Sequence, residues 1–186
     1  MEVGGSEILI GVTGGIAAYK AAALVSRLAS FGAGVSVMMT ESAARLVGPK
    51  TFQALSGRSV RVSLWEDTAS AHPHIDAARK ADLFCVAPAT ANMLAKAAWG
   101  IADDLVSTTI LAFDGPVLLA PAMNSVMWSK PAVRRNVAQL KEDGFFFIGP
   151  ESGPLSCGES GTGRMSEPEQ ILEAIEAILK GMGKPR

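Results

Sequence analysis

The sequence predicts an α/β protein, a parallel sheet held between two layers of helices. Two observations carry that prediction. Apolar runs of four or five residues, with little polar alternation, recur along the 186-residue chain, as strands buried on both faces do. Each leads into small-residue turns or a stretch of helical periodicity, the order that places successive strands parallel. Composition agrees. Hydrophobic residues make up 48% and charged ones 19%, yet aromatics are only 6%. The apolar content therefore lies in Ala, Val, Leu, Ile and Met, which suit close helix-on-sheet packing. That balance excludes a disordered chain, and its excess predicts apolar surface buried against other subunits.

The elements follow in order. Residues 8–12 (ILIGV) form the first strand and run straight into Thr13-Gly14-Gly15. Residues 16–29 then carry Ile16, Tyr19, Ala23, Leu24 and Leu28 at helical spacing. Residues 35–39 (VSVMM) are the second strand, and Thr40-Glu41-Ser42 opens a helical stretch. Residues 83–87 (LFCVA) lead through Pro88-Ala89-Thr90-Ala91-Asn92 to a helix over 94–98. Residues 117–120 (VLLA) lead through Pro121-Ala122-Met123-Asn124 into one helix reaching about Leu140. Residues 145–148 (FFFI) are the last strand, and a closing helix from Pro168 to about Lys180 returns Ile171, Leu172, Ile175, Ile178 and Leu179 to the core. The whole is a three-layer, Rossmann-like or flavodoxin-like sheet in a single domain over 1–186.

Two stretches break the rhythm. Residues 149–163 (GPESGPLSCGESGTG) hold five glycines, too long and glycine-rich for an ordinary helix-to-strand connection. They predict a functional flap at about 149–165. Residues 61–74 are the second irregular stretch. Neither an internal repeat nor a low-complexity tract is evident.

Several function classes are excluded. A formal net charge of −1 and the lack of a basic stripe argue against nucleic acid as a partner. No apolar run approaches the ~18 residues that cross a bilayer, and MEVGGSEILI lacks the basic start and cleavage site of a signal peptide. A cytoplasmic protein without a membrane partner is expected. Cys85 and Cys157 are too few for a disulfide framework and match no zinc spacing. His72 and His74 have no nearby third ligand, so no metal is expected.

In parallel α/β sheets, ligands bind at the carboxyl ends of the strands, and here those ends carry glycine or small polar residues. Gly14 and Gly15 let backbone N–H groups approach a phosphate at a helix N-terminus, and Thr40 and Ser42 add hydroxyls. The same glycines also serve a simple tight turn. Gly11, Gly14 and Gly15 do not fit the dinucleotide fingerprint G-x-G-x-x-G, and Lys20 lies too far into the helix to be a Walker lysine. A mononucleotide with one phosphate fits better, although Glu41 could hold a ribose hydroxyl in a dinucleotide reading. His74 is either a cap on the helix that begins there or a general base. Cys85, mid-strand, is a small core residue. Cys157 lies in the flap, where a thiol donates a proton, accepts one or attacks as a nucleophile, and chemistry alone leaves a Cys–His hydrolase open.

Five segments, in order, resemble the homo-oligomeric flavin-containing cysteine decarboxylases. They are Gly14-Gly15-Ile16-Ala17-Ala18-Tyr19-Lys20; His74-Ile75; Pro88-Ala89-Thr90-Ala91-Asn92; Pro121-Ala122-Met123-Asn124-Ser125-Val126-Met127-Trp128; and Ser156-Cys157-Gly158-Glu159 running to Gly163-Arg164-Met165. The similarity covers about residues 8–178. It implies FMN as cofactor, with Gly14, Gly15, Ile16, Thr40 and Ser42 on its phosphate and ribityl chain. Thr90, Ala91, Asn92, Met93 and Ala122 are implied at the flavin, Asn92 from a neighbouring subunit. His74 is implied as the active-site base and Cys157 as the proton donor. Asn124 would bind the substrate's carboxylate or adjoining amide, and Met123, Ser156 and Gly158 would complete the substrate side. Trimers, or dodecamers of trimers, with sites between subunits are implied as well.

The implied reaction has a physical rationale. A C-terminal cysteine has no electron sink next to its carboxylate, and oxidation of CH2–SH to a thioaldehyde by a flavin creates one. Carbon dioxide then leaves an enethiolate, which hydride return and protonation convert to the saturated thiol. Cys157 in its SCGESGTGRM context favours the branch that completes this return, whose substrate is phosphopantothenoylcysteine in coenzyme A synthesis. The alternatives are an oxidative decarboxylase of peptidyl cysteine and a non-catalytic flavin-binding regulator. Three departures from the family pattern stand out: Thr90 for Ser, Met93 for Thr, and Ala77 for Leu after the His-Ile pair. Many bacterial relatives continue into a synthetase domain; this sequence is expected to supply the decarboxylase alone. Lys130, Arg134, Arg135 and Arg164 are candidates for the substrate phosphate.

Overall fold

The computed structural model describes residues 3–65, 73–154, 158 and 160–181. Its centre is a five-stranded sheet in which every pairing is parallel: β1 (Glu7–Val12), β2 (Gly34–Met39), β3 (Leu83–Ala89), β4 (Val117–Pro121) and β5 (Phe146–Phe147). The order is β2-β1-β3-β4-β5, so the winding direction reverses between β1 and β3. A ligand crevice opens at such a switch point. Registers such as Ile10↔Val37 and Ile10↔Cys85 bring the carboxyl ends of β1, β2 and β3 to one edge.

Alternate residues of the strands feed two cores. Ile8, Ile10, Val12, Val37 and Cys85 pack with Leu24 and Leu28 of α1 (Ala18–Ser30), Phe52 of α3 (Pro49–Ser56) and Ile171, Leu172 and Ile175 of α9 (Pro168–Gly181). Leu9, Phe84, Val86 and Leu119 face the other way. They meet Met93 and Leu94 of α5 (Ala91–Trp99), Val106 and Ile110 of α6 (Leu105–Ala112), and Val137 and Leu140 of α8 (Pro131–Glu142). A period of two along strands buried on both faces explains why the apolar runs are continuous. The three-layer α/β architecture is as expected.

Local departures have local causes. The single helix expected to reach Leu140 is two, α7 (Ser125–Ser129) and α8, because Lys130 turns extended (φ −60°, ψ 134°) and Pro131, lacking an N–H, opens a new helix. The helix α6 has no counterpart in the expected elements. Its LVSTTILA buries Ser107 and Thr109 along with Leu105, Val106 and Ile110, so polar and apolar residues do not separate onto two faces and little 3.6-residue periodicity shows. The expected strand 145–148 shrinks to Phe146–Phe147 at the sheet edge. Short helices α2 (Glu41–Ala44) and α4 (Pro73–Lys80) follow β2 and precede β3. The flap contains an antiparallel hairpin, β6 (Glu151–Pro154) with β7 (Ser160–Arg164), paired Ser152↔Thr162 and Gly153↔Gly161. No helix among the described residues is long and apolar enough to cross a membrane.

Candidate functional site

A cavity of about 990 Å3 opens at the carboxyl ends of the strands. The cofactor-side residues singled out in the sequence all line it: Gly14, Gly15 and Ile16 after β1; Thr40 and Ser42 after β2; Thr90, Ala91, Asn92 and Met93 after β3; and Ala122 after β4. Met123 and Asn124 line it as well. Residues spread over 111 positions of sequence, from 14 to 124, are thus assembled by the sheet alone.

Each turn is locked from beneath. The Thr13 hydroxyl donates to the Pro88 carbonyl at 2.7 Å and accepts from the Thr90 N–H at 3.2 Å, tying the end of β1 to the end of β3. Thr90 caps α5 by accepting from the Met93 N–H at 3.3 Å, and Thr40 caps α2 through the Ala43 N–H at 3.2 Å. The Asn124 Oδ1 caps α7 through the Val126 N–H at 2.8 Å. Asp104 makes a reciprocal capping box with Ser107 on α6. Helix α1 differs, since its N-cap is Ala17 and no side chain caps it. The N–H groups at this helix start therefore lack a side-chain acceptor, beside a turn whose Gly15 N–H folds back to Thr13 O at 2.8 Å. A Cβ at Gly14 would stand 2.5 Å from the Ser42 Cβ, so only glycine lets the first and second turns close together. An uncapped helix start, flanked by Thr40 and Ser42, fits a phosphate monoester. The chemistry of the donors matches the phosphate and ribityl chain of FMN.

The opposite wall comes from the hairpin. The Met123 N–H donates to Gly163 O at 2.9 Å, and a Cβ at Gly163, where φ is +156°, would lie 2.1 Å from Met123 O. Pro154, Arg164 and Met165 continue this wall. Charged groups on the cavity include three that sequence reading did not assign to a site: Lys96, Asp103 and Asp104. Lys96 Nζ lies 2.5 Å from Asp103 and 2.6 Å from Asp104. Burial works against its charge, yet hydrogen bonds to both carboxylates hold the ammonium above its ordinary pKa. The hydrogen bond to Lys96 in turn lowers Asp103. The signal available in sequence was the Asp103-Asp104 pair before an apolar run, which reads as capping and says nothing about a cavity.

The remaining expected residues are less fully placed. Pro73 and His74 open α4, and the His74 side chain lies outside the described residues, as do His72, Ser156 and Cys157. Gly158 is exposed, with φ +85°. Cys85 is fully buried, and burial pushes its thiol up to about 12, as a core residue requires. Among the described residues no group of three or more His, Cys, Asp or Glu could hold a metal.

Comparison with known proteins gives a consistent set. The family described as Flavoprotein matches residues 2–180. The coenzyme A biosynthesis bifunctional protein CoaBC of Bacillus subtilis is 54% identical over 170 residues, 91% of this chain and 42% of that protein. Its namesake in Mycobacterium tuberculosis is 45% identical over 174 residues, 94% of this chain and 41% of that one. The chain thus spans less than half the length of these curated relatives. Among solved structures, the FMN-dependent cysteine decarboxylase SpaF superposes with TM-score 0.84 at 33% identity, covering 98% of this chain and 99% of its own. A PPC decarboxylase mutant complexed with pantothenoylaminoethenethiol gives 0.83 at 29% identity, covering 94% and 98%.

Proposed function

The chain belongs to the flavoprotein family, and from that premise we propose that it is an FMN-dependent carboxy-lyase acting on phosphopantothenoylcysteine to give phosphopantetheine. The observation that carries this reading is the convergence of Gly14, Thr40, Thr90 and Asn124 on one cavity beside an uncapped helix start. Identity of 54% to a coenzyme A biosynthesis protein favours this substrate over a peptidyl cysteine, and SpaF, at 33%, is the counterweight.

FMN bound there would supply a reversible hydride acceptor, the chemistry that oxidation of the cysteine side chain and its final reduction require. The protein's part is binding and proton handling. Gly14, Gly15, Ile16, Thr40 and Ser42 hold the phosphate and ribityl end, and Thr90, Ala91, Asn92, Met93 and Ala122 border the ring. Asn124, with its Oδ1 fixed on the Val126 N–H, presents its amide N–H to the carboxylate or adjoining amide of the substrate, beside Met123. His74 takes the thiol proton as the thioaldehyde forms. The bonding pair of the departing carbon dioxide moves into the enethiolate. Cys157, flanked by Ser156 and Gly158 in a clamp over 149–165, returns a proton to the carbon that lost the carboxylate. The domain works as a homo-oligomer, a trimer or a dodecamer of trimers with sites between subunits, in the cytoplasm. Exposed Trp99, Ile101 and Leu111 are surface such an assembly buries.

The test is a visible spectrum of the purified protein followed by incubation with phosphopantothenoylcysteine and mass spectrometry. Flavin bands and a decarboxylated, fully reduced product are expected. Colourless protein ends the reading, and turnover of only a peptide with C-terminal cysteine transfers it to the peptidyl substrate.

A further inference from the structure

Lys20 is the charged residue of the first motif, and neither the phosphate turn nor the chemistry uses it. It lies on α1, with its side chain only 8% exposed, on the cavity wall. Its Nζ donates to the Met165 carbonyl at 3.1 Å and to Glu167 Oε1 at 2.9 Å. A buried ammonium paired with a half-exposed carboxylate is not explained by stability, because the cost of desolvating the lysine offsets much of the attraction. What an ammonium adds is direction: it fixes the position of a backbone carbonyl and a carboxylate.

Those acceptors lie at the root of the hairpin. Three consecutive residues at the end of β7 each make a separate contact. Gly163 O takes the Met123 N–H, Arg164 pairs with Glu167, and Met165 O takes Lys20. Glu167 is shared by Lys20 and Arg164, and the hydrogen bond from Lys20 is the main reason its carboxyl is held below the ordinary value. Helix α1 begins at the Gly14-Gly15 turn. One side chain thus joins the element that starts at the phosphate side to the strand that builds the opposite wall.

We propose that Lys20 is a positioning residue for the decarboxylation: it holds the return strand of the hairpin onto α1 and so sets where Met123 and Met165 stand on the substrate side. The proposal rests on the decarboxylase reading above and is tested in a way that separates the two. Lys20→Met keeps the volume and removes the ammonium, while Glu167 retains Arg164, so the fold survives. Lys20→Met is expected to keep its flavin spectrum, to raise KM for phosphopantothenoylcysteine by about tenfold to hundredfold with a smaller fall in kcat, and to speed amide exchange at Met123 in the substrate-free protein. Lys20→Arg, which can still donate to both acceptors, recovers part of each effect. Colourless Lys20→Met with unchanged Met123 exchange would assign Lys20 to the cofactor side and overturn the proposal, as would unchanged KM and exchange. A wild-type chain inert toward the substrate ends the activity reading alone, and Met123 exchange then decides the role of Lys20.

Discussion

The two walls of the cavity are built by different physics. On the sheet side, turns after β1, β2 and β3 sit on strands whose residues are almost fully buried, and hydroxyl caps and the Thr13 bridge fix them from below. On the hairpin side, β6 and β7 are half-buried or exposed except at Gly163. Among the described residues they are held by the Met123–Gly163 backbone hydrogen bond, glycines that permit close approach, the Ser166–Glu151 hydrogen bond and the Lys20–Glu167–Arg164 group. Under the proposed function the walls divide the labour: the wall tied to the core would hold the cofactor, and the lightly tied wall, with the Met123-Asn124 turn, would meet the substrate. Substitutions on the first wall should remove flavin, and substitutions on the second should leave flavin and disturb turnover.

The most damaging variant on the first wall is Gly14→Val. Its side chain would collide with Ser42, opening the gap between the first two turns. Flavin affinity is expected to fall by at least about tenfold, or ~1.4 kcal/mol, measured by absorbance of bound flavin after dialysis. Retention of full occupancy would break the division at its strongest point. On the second wall, Gly163→Ala places a methyl group against Met123 O and pushes the strand off the cavity. It is expected to stay yellow and lose most of its turnover.

Chemistry variants sharpen the same contrast. His74→Asn should abolish carbon dioxide release in flavin-loaded protein, and a colourless variant would make His74 structural. Cys157→Ser should release carbon dioxide and accumulate the oxidised enethiol product, detected by mass spectrometry; normal phosphopantetheine from that variant would remove Cys157 from the proton path.

Stability effects are smaller and unequal. Glu167→Ala leaves the buried Lys20 with the Met165 carbonyl alone and is expected to cost up to ~3 kcal/mol, read from Tm or urea unfolding. Because the Lys20 hydrogen bond lowers the pKa of Glu167 in the folded state, its contribution is present above the ordinary glutamate value and is lost as pH falls through the lower folded value. Glu167→Gln should therefore flatten the acid limb of the stability profile. Thr13→Val removes the donor to Pro88 O and is expected to cost ~1–2 kcal/mol. Arg58→Ala breaks the partly exposed pair with Glu7, far from the cavity, and should cost no more than ~1 kcal/mol with flavin unchanged.

What could be read in advance follows the same boundary. The strands at residues 8–12, 35–39, 83–87 and 117–120 are legible because parallel strands buried on both faces leave uninterrupted apolar runs. The turns after them are legible because glycine, threonine and asparagine at a strand end have few other roles. The hairpin leaves no such record, since Ser, Gly and Glu in β6 and β7 pair through backbone groups that any sequence carries. Helix α6 was hidden because its hydroxyl residues are buried with its apolar ones, and the break at Pro131 by strong flanking periodicity. Lys96 was invisible as a cavity residue because its Asp103 and Asp104 partners come from the following loop.

The division between the walls is tested most directly by one measurement, bound flavin per chain in Gly163→Ala set against its turnover of phosphopantothenoylcysteine. Near-complete flavin with turnover reduced by at least about tenfold, or ~1.4 kcal/mol, is the predicted result. Parallel loss of flavin and turnover would contradict it, and would make the hairpin part of the cofactor site.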